Sequence, residues 1–459
     1  MILYLFSLPI YFVQFYKSKG IFQESPAGAE RTSPFGALTS MSGKGLPQST
    51  SAKSMMKVQA QTPSGTQLTE TLADKTNFSW KTLSATLTLY SAYYEDRYWS
   101  TGSLAILGYE MMPKKPQNLS CLVIMADSKV ASVQGQAERV LIAEKWRRRI
   151  EKYRGILYKC DLTTPGKPKY VTLIYRHSTD FKNIPFTLYV PVADVRFSKK
   201  VHKFGVCYET PLYGYKYDQE IMDSIEMNKQ LGATWFTIYV YEAHEKALEI
   251  LRYYSQKQKI LDAVYNWGES ITNPIYNHGL TVGVHDCVYR NMYKVRYLVL
   301  CDIDEFIMPV KGFNWHDLLP KIDAPKRAHF LLAHLGFHKN KSKTEMSLCC
   351  HKESNRTYRM PLFFSLHNRS GSVVIRYRQS KSIIKPKHVI SVEVHRHRFM
   401  MPGYKLYVVP PDVGVMKHYR GYYHPKYRGA NFTLDYTMDY FKPAVLSALE
   451  RYYCGSIPG

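Results

Sequence analysis

The feature that most constrains this chain is an alternation of short apolar runs and amphipathic segments that begins near Lys203. Residues 204–208, 235–241, 260–267 and 297–301 read as strands, and residues 218–231, 243–257 and 280–293 read as helices. The first helix carries Ile221, Ile225 and Leu231 near one face and has Gly232 as its stop. Strands separated by helices connect through right-handed crossovers, so the expected product is a mostly parallel sheet covered on both faces, a Rossmann-like half. In open sheets of this kind ligands bind beyond the carboxyl ends of the strands. The last strand of the series delivers Asp302-Ile303-Asp304-Glu305-Phe306 at such an end.

Asp302 and Asp304 are two apart, so their carboxylates share one face if the extended conformation persists. Two carboxylates fit a hard divalent cation that keeps positions open for phosphate oxygens. A cation there neutralises a departing diphosphate. Asp-x-Asp is also a short string that solvated acids form, but here an apolar strand delivers it and Phe306-Ile307-Met308-Pro309 follows. Glu305, next along the strand, is expected to point away from both aspartates and to be structural. No G-x-G-x-x-G follows the first strand and no G-x-x-x-x-G-K-[ST] occurs, so a dinucleotide oxidoreductase or P-loop phosphotransferase lacks its fingerprint. A nucleotide held by a metal and basic side chains remains, and Arg376, Arg378, Lys381, Lys385 and Lys387 supply such side chains.

Five segments are expected: a truncated signal anchor over 1–20, a flexible stem over 21–75, a β-rich module over 76–200, the α/β domain over 201–445 and a C-terminal tail over 446–459. Residues 2–16 are apolar and precede Lys17 and Lys19, but fall short of the roughly 20 residues of a spanning helix. The stem is rich in Ser, Thr, Gly, Pro, Ala and Gln and cannot bury enough apolar area to offset ordering entropy. The module shows strand-like runs at 86–90, 104–107, 121–124, 170–175 and 186–190, with a basic helix over 138–153 whose Lys145, Arg147, Arg148, Arg149 and Lys152 form a solvated face.

Composition narrows the partners. Lys plus Arg number 62 against 37 Asp plus Glu, a formal charge of +25 that suits a polyanion, an anionic membrane or a phosphorylated substrate. The basic residues are scattered and no recognition module appears, so nucleic acid is not expected. The eight cysteines include no C-x-x-C, which argues against a zinc ribbon or thioredoxin-like site. Cys207, Cys287 and Cys301 lie in apolar elements and read as buried thiols or disulfides. Sequons at Asn77, Asn118, Asn340, Asn355, Asn368 and Asn431 favour a lumenal or secreted address, with Asn77 the first and Asn368, in a turn-like setting, the second candidate for glycosylation.

Four stretches between about Lys203 and Arg420 resemble glycosyltransferase family 92. They are Gly205-Val-Cys207-Tyr-Glu-Thr-Pro211 with the following Leu231-Gly-Ala-Thr-Trp-Phe-Thr-Ile-Tyr239; His285-Asp-Cys287-Val-Tyr-Arg-Asn291; Asp302-Ile-Asp-Glu-Phe-Ile-Met-Pro309; and Lys381-Ser-Ile-Ile-Lys-Pro386 with Val394-His395 and His418-Tyr-Arg420. Ser91-Ala-Tyr-Tyr-Glu-Asp-Arg97 resembles a motif upstream of the catalytic domain in animal members, and Leu280 stands where the family usually has Gln after Gly279. The resemblance implies a GT-A fold and a Golgi type II membrane enzyme with a lumenal catalytic domain. It also implies inverting, Mn²⁺-dependent transfer from a UDP-sugar to a glycan or glycoprotein acceptor, UDP-galactose and a β-1,4 linkage being typical. It makes His418 and His395 candidates to complete the metal or diphosphate site beside Asp302 and Asp304, against the alternative of hydrogen-bonded histidines in strands. Lys381, Lys385 and Arg420 are the expected diphosphate contacts. Two other readings stay open: a catalytically inactive family member, and a non-catalytic basic binder of nucleic acid or sulfated glycans.

Overall fold

The computed structural model describes residues 78–455 except 98–101, 112–117, 129, 142–152, 177–182, 199–200, 215–217, 269–274, 339–346, 350–356, 371–378, 394 and 421–431. The expected anchor and stem lie outside the described residues.

The β-rich module is confirmed as eight strands: β1 (Lys81–Ser84), β2 (Leu87–Glu95), β3 (Ser103–Met111), β4 (Leu119–Met125), β5 (Ala131–Leu141), β6 (Tyr153–Asp161), β7 (Pro168–Tyr175) and β8 (Val190–Ala193). They pair in the order β1-β2-β3-β6-β5-β4-β7-β8, and β8 returns to β2, so β2 through β8 close into a ring. Closure leaves no open edge in the ring for another chain to pair with. The expected helix over 138–153 is not found where it is described. Glu138–Leu141 extend β5 instead, with Glu138 opposite Lys159 and Val140 opposite Leu157. The ladder to β6 and a cross-strand ion pair between Arg139 and the buried Glu110 hold these four residues extended; the expected basic face of Lys145, Arg147, Arg148, Arg149 and Lys152 lies outside the described residues. Likewise residues 186–188 form a 3₁₀ turn, and the strand starts only at Val190.

The second half runs β9 (His202–Tyr208), α1 (Asp218–Gln230), β10 (Trp235–Tyr239), α2 (Glu245–Arg252), β11 (Leu261–Val264), α3 (Leu280–Arg290), β12 (Val295–Cys301), β13 (Glu305–Pro309), α4 (Trp315–Ile322), β14 (Arg327–His338), β15 (Lys381–Ile384), β16 (Gly414–Arg420) and α5 (Lys442–Tyr453). β11, β10, β9 and β12 are parallel neighbours in that order. Past β12 the expectation of a mostly parallel sheet fails, because β15 pairs antiparallel with both β12 and β14. Gly232 stops α1 as expected, at φ +111°, with its N–H on the Lys229 carbonyl. Left-handed backbone of this kind suits a residue without Cβ.

Both faces of the parallel strands are buried, which is why they read as continuous apolar runs. Phe204, Val206, Ile238 and Val299 face α1, α2, α4 and α5 in one core. Val445 and Leu449 of α5 belong to that core, so residues 446–453 are the body of a packed helix and not a tail. Cys207, Tyr239, Leu298 and Leu300 face α3, and this second core continues without a break into Leu89, Tyr93, Ile106 and Ile156 of the ring. At their junction Trp267 meets Trp80, Tyr90 and Tyr239 edge-on. Burying a ring of this size is worth roughly 4–6 kcal/mol in gross area terms.

Two polar ties reinforce the junction. Asp286 of α3 accepts from the hydroxyls of Tyr93 (2.6 Å) and Tyr239 (2.7 Å) and from Arg290 Nε (2.9 Å). Arg97, just past β2, grips Glu95 and donates to the carbonyls of Pro386, Lys387 and Val389, immediately beyond β15. Cys207 and Cys287 form a disulfide from β9 to α3, and Cys121 and Cys160 form another inside the ring. Cys301 is a buried free thiol.

Candidate active site

The sheet order reverses between β9 and β12: the chain leaves β9 toward β10 and β11, then returns to place β12 on the other side. Such a switch point opens a crevice at the carboxyl ends of the two strands. Tyr208 of β9 is in register with Cys301 of β12, so the next residues, Glu209 and Asp302, arrive side by side. The Glu209 N–H bonds to the Cys301 carbonyl at 3.0 Å.

Lys381, the first residue of β15, enters between these acids. Its ammonium contacts Glu209, Asp302 (2.8 Å) and Glu305 (3.0 Å), and it has no exposed side-chain surface. The other oxygen of Asp302 accepts from the Thr210 hydroxyl at 2.6 Å and its N–H at 3.2 Å. Burial raises the Asp302 carboxyl, but the charge and hydrogen bond of Lys381, with Thr210, prevail and hold it at about 2. Burial pushes Glu209 up to about 8 against the pull of Lys381. Burial opposes the charge on Lys381, yet the three carboxylates keep its affinity for a proton well above the ordinary lysine value.

The extended conformation does not persist through Asp302-Ile303-Asp304. A turn follows Cys301 and strand geometry resumes at Glu305. This corrects two expectations. Glu305 does not point away: its Oε2 accepts the Asp302 N–H at 2.8 Å. Asp302 and Asp304 do not act as a matched pair, because Asp302 turns inward to Lys381 while Asp304 faces His418. β13 and β16 are antiparallel with Glu305 opposite His418. That register sets His418 Nε2 3.1 Å from Asp304 Oδ2 and Nδ1 3.4 Å from Glu305 Oε1. His334 of β14 adds its Nε2 at 3.3 Å from the same Nδ1. The Asp304 side chain is 42% exposed, so the pair forms the open rim of a closed acidic cluster.

The other expected residues do not all converge here. His395 Nδ1 lies 3.1 Å from the Ser380 carbonyl, and burial, then the neighbouring charge of Lys381, pushes its imidazole down to about 4. Lys381 is an interior cation already neutralised by carboxylates, so the expectation of an open diphosphate contact does not describe its position. Lys385 lies four residues on, just past the end of β15 and roughly 13 Å away, and its ammonium pairs with Asp323. Arg420 ends β16 opposite His338. Of the sequons, Asn118 is exposed ahead of β4, and Asn368 opens a three-residue strand and is half-buried, not in a turn. Asn77, Asn340, Asn355 and Asn431 lie outside the described residues.

The donor chemistry fits a divalent cation held by two protein groups. Asp304 Oδ2 and His418 Nε2 face each other, and a carboxylate stands behind the other ring nitrogen, as behind metal-bound imidazoles generally. Among the described residues no group of three or more His, Cys, Asp or Glu is arranged to hold a metal ion. Two protein donors would leave the remaining coordination positions of such a cation open. Sequence reasoning gave no role to Glu209, Thr210 or His334; the available signals were that Glu209 and Thr210 lie in the Gly205–Pro211 stretch and that Glu209 stands just past β9, as Asp302 does past β12.

Comparison with known proteins gives two findings. The model of a family described as Glycosyltransferase family 92 matches residues 202–454, just over half of the chain. A curated relative, "Beta-1,4-galactosyltransferase galt-1" of Caenorhabditis elegans, is 32% identical over 117 residues. That match spans about a quarter of each protein, 24% of this chain and 26% of the relative.

Proposed function

This chain belongs to glycosyltransferase family 92, and we propose that it moves galactose from UDP-galactose to a glycan or glycoprotein acceptor in β-1,4 linkage with inversion. In this reading the α/β half is a GT-A fold, and a divalent cation, Mn²⁺ by preference, is held by Asp304 and His418. The observation that carries it is the rim pair itself: an exposed carboxylate and a braced imidazole at the switch point of a parallel sheet. The cation, when bound, supplies Lewis-acid neutralisation of the charge that develops on the departing diphosphate. Glu305 orients His418, and Lys381 with Thr210 fixes Asp302 as the ionised wall of the crevice. The choice of sugar and linkage is supported by the partial relative, a protein named as a beta-1,4-galactosyltransferase.

A Golgi membrane address, single-pass and type II, belongs to the same proposal. The disulfides Cys121–Cys160 and Cys207–Cys287 fit an oxidising compartment, and Asn118 is exposed for glycosylation. No helix among the described residues is long and apolar enough to cross a membrane; the proposed anchor is the apolar run of residues 2–16 within 1–20. The test is to incubate the full chain with UDP-galactose, Mn²⁺ and mixed glycan acceptors and to look for a mass gain of one hexose, with other UDP-sugars in parallel. Transfer from a different UDP-sugar alone would replace the donor. Transfer that survives both EDTA and Asp304→Asn would remove the metal site.

A further inference from the structure

Beyond the ends of β9 and β10, three aromatic rings pile on one another. Tyr213 and the His278 imidazole lie face to face, centroids 3.7 Å apart and planes within 18°. Tyr241 leans on both, 4.6 Å from His278 and 5.4 Å from Tyr213.

The pile is held from below. The Leu212 N–H donates to the Tyr239 carbonyl, and the Leu212 carbonyl accepts from the N–H groups of Tyr241 and Glu242, which stitches the Tyr213 loop to the end of β10. His278 is presented by a run of left-handed backbone, with φ of +43° at Asn277, +55° at His278 and +87° at Gly279. Non-glycine residues held there are strained and persist only where surrounding contacts impose them. One such contact is Trp267 Nε1, which donates to the His278 carbonyl at 2.8 Å. Burial also pushes the imidazole below its ordinary affinity for a proton, so it stacks as a neutral flat ring.

Rings that only pack turn their area inward. Tyr213 is backed by His278 on one face and still leaves 52% of its surface open. It stands three residues beyond Thr210, whose hydroxyl holds Asp302. Three residues of chain reach at most about 11 Å, comparable to the separation between the base and the outer phosphate of a nucleoside diphosphate.

Resting on the reading of this chain as a nucleotide-sugar transferase, we infer that the open face of Tyr213, backed by His278 and Tyr241, is the stacking platform for the donor's nucleobase. The ring reads flatness and not the pattern of a base edge, because every base offers a π-face. It fixes the nucleoside at one end of the crevice while the diphosphate reaches the Asp304 and His418 rim at the other.

The test compares UMP with ribose 5-phosphate, which has the same sugar and phosphate without the base, by calorimetric titration of the full chain. Wild type should bind UMP more tightly by about tenfold or more. Tyr213→Ala should weaken UMP alone and close most of that gap, and Tyr213→Phe should keep it. Where alanine disturbs the fold, Tyr213→Leu retains bulk without an aromatic face and gives the same comparison. UMP affinity equal in wild type and in a folded Tyr213→Ala or Tyr213→Leu overturns the platform and leaves the transferase reading standing. Equal weakening of UMP and ribose 5-phosphate also overturns it, since the ring then acts through loop shape. Wild type that binds neither UMP nor UDP overturns both readings.

Discussion

Two of the carboxylate clusters buried among the described residues differ in balance. Under α3, Asp286 receives two tyrosine hydroxyls and one arginine, and the cluster is closed to solvent. At the strand ends, Glu209, Asp302 and Glu305 share the single cation of Lys381, and the cluster opens through Asp304 and His418. The first is a brace: two hydroxyls and a guanidinium each donate to Asp286. The second sets three carboxyls against one ammonium, and burial lifts Glu209 to about 8, so a proton meets part of the surplus, an arrangement that suits a place awaiting positive charge. Burial and polarity are common to both; imbalance and an open rim are what separate a site from a scaffold.

The comparison can be broken at its most loaded point. Lys381→Met leaves three carboxylates crowded together without their cation and should cost about 3–5 kcal/mol of stability, read by urea unfolding, and abolish transfer with it. Asp286→Ala strips the brace from Arg290 and should cost a similar or slightly smaller amount, again by urea unfolding. Any of this variant that remains folded should keep its KM for donor, and a changed KM would mean that the brace also serves the site. Asp304→Asn should do the reverse, lowering kcat by about 10²–10³-fold while a thermal melt stays within about 1 kcal/mol of wild type. If it unfolds instead, rim and cluster are one structural unit and the distinction fails. Arg97→Lys keeps the charge but loses the fork to Glu95 and the carbonyl contacts beyond β15, an expected loss of about 1–2 kcal/mol seen as a lowered melting temperature. Lys385→Met, at a partly exposed pair with Asp323, should change stability by about 0–1 kcal/mol and leave UDP affinity unchanged; weakened UDP binding would restore Lys385 to the site.

The parallel strands were legible in the sequence because burial on both faces leaves uninterrupted apolar runs, as in 297–301, and the acids at the end of β12 were legible because an apolar strand ran straight into them. The role of Lys381 was not. Its charge is visible in the sequence, but its burial follows from β15 being a central strand, with Ser382 opposite Leu300 and Lys381 opposite Leu332. Glu209 was hidden by distance, since its neighbour Asp302 is brought beside it only by the register of β9 and β12. Glu305 was misread because period-two reasoning ran across a turn. The start of the expected helix, Glu138–Leu141, was misread because a ladder to β6 and an ion pair from Arg139 to Glu110 hold it extended, and neither partner is near in sequence. Each miss concerns a partner remote in sequence, which local periodicity does not encode.

The shared core beneath α3 has a consequence for where this protein begins as a physical object. The family match starts at residue 202, yet side chains from Phe78 onward pack into the same apolar continuum as Cys207 and Leu300. In the vocabulary of assembly, the ring is an obligate subunit supplied in cis, tethered so that it never has to find its partner by diffusion. A shortened version starting at 202 would resemble a dissociated protomer, with α3 and the aromatic junction around Trp267 turned to water, and it should be recovered as aggregate until the ring is supplied back in trans.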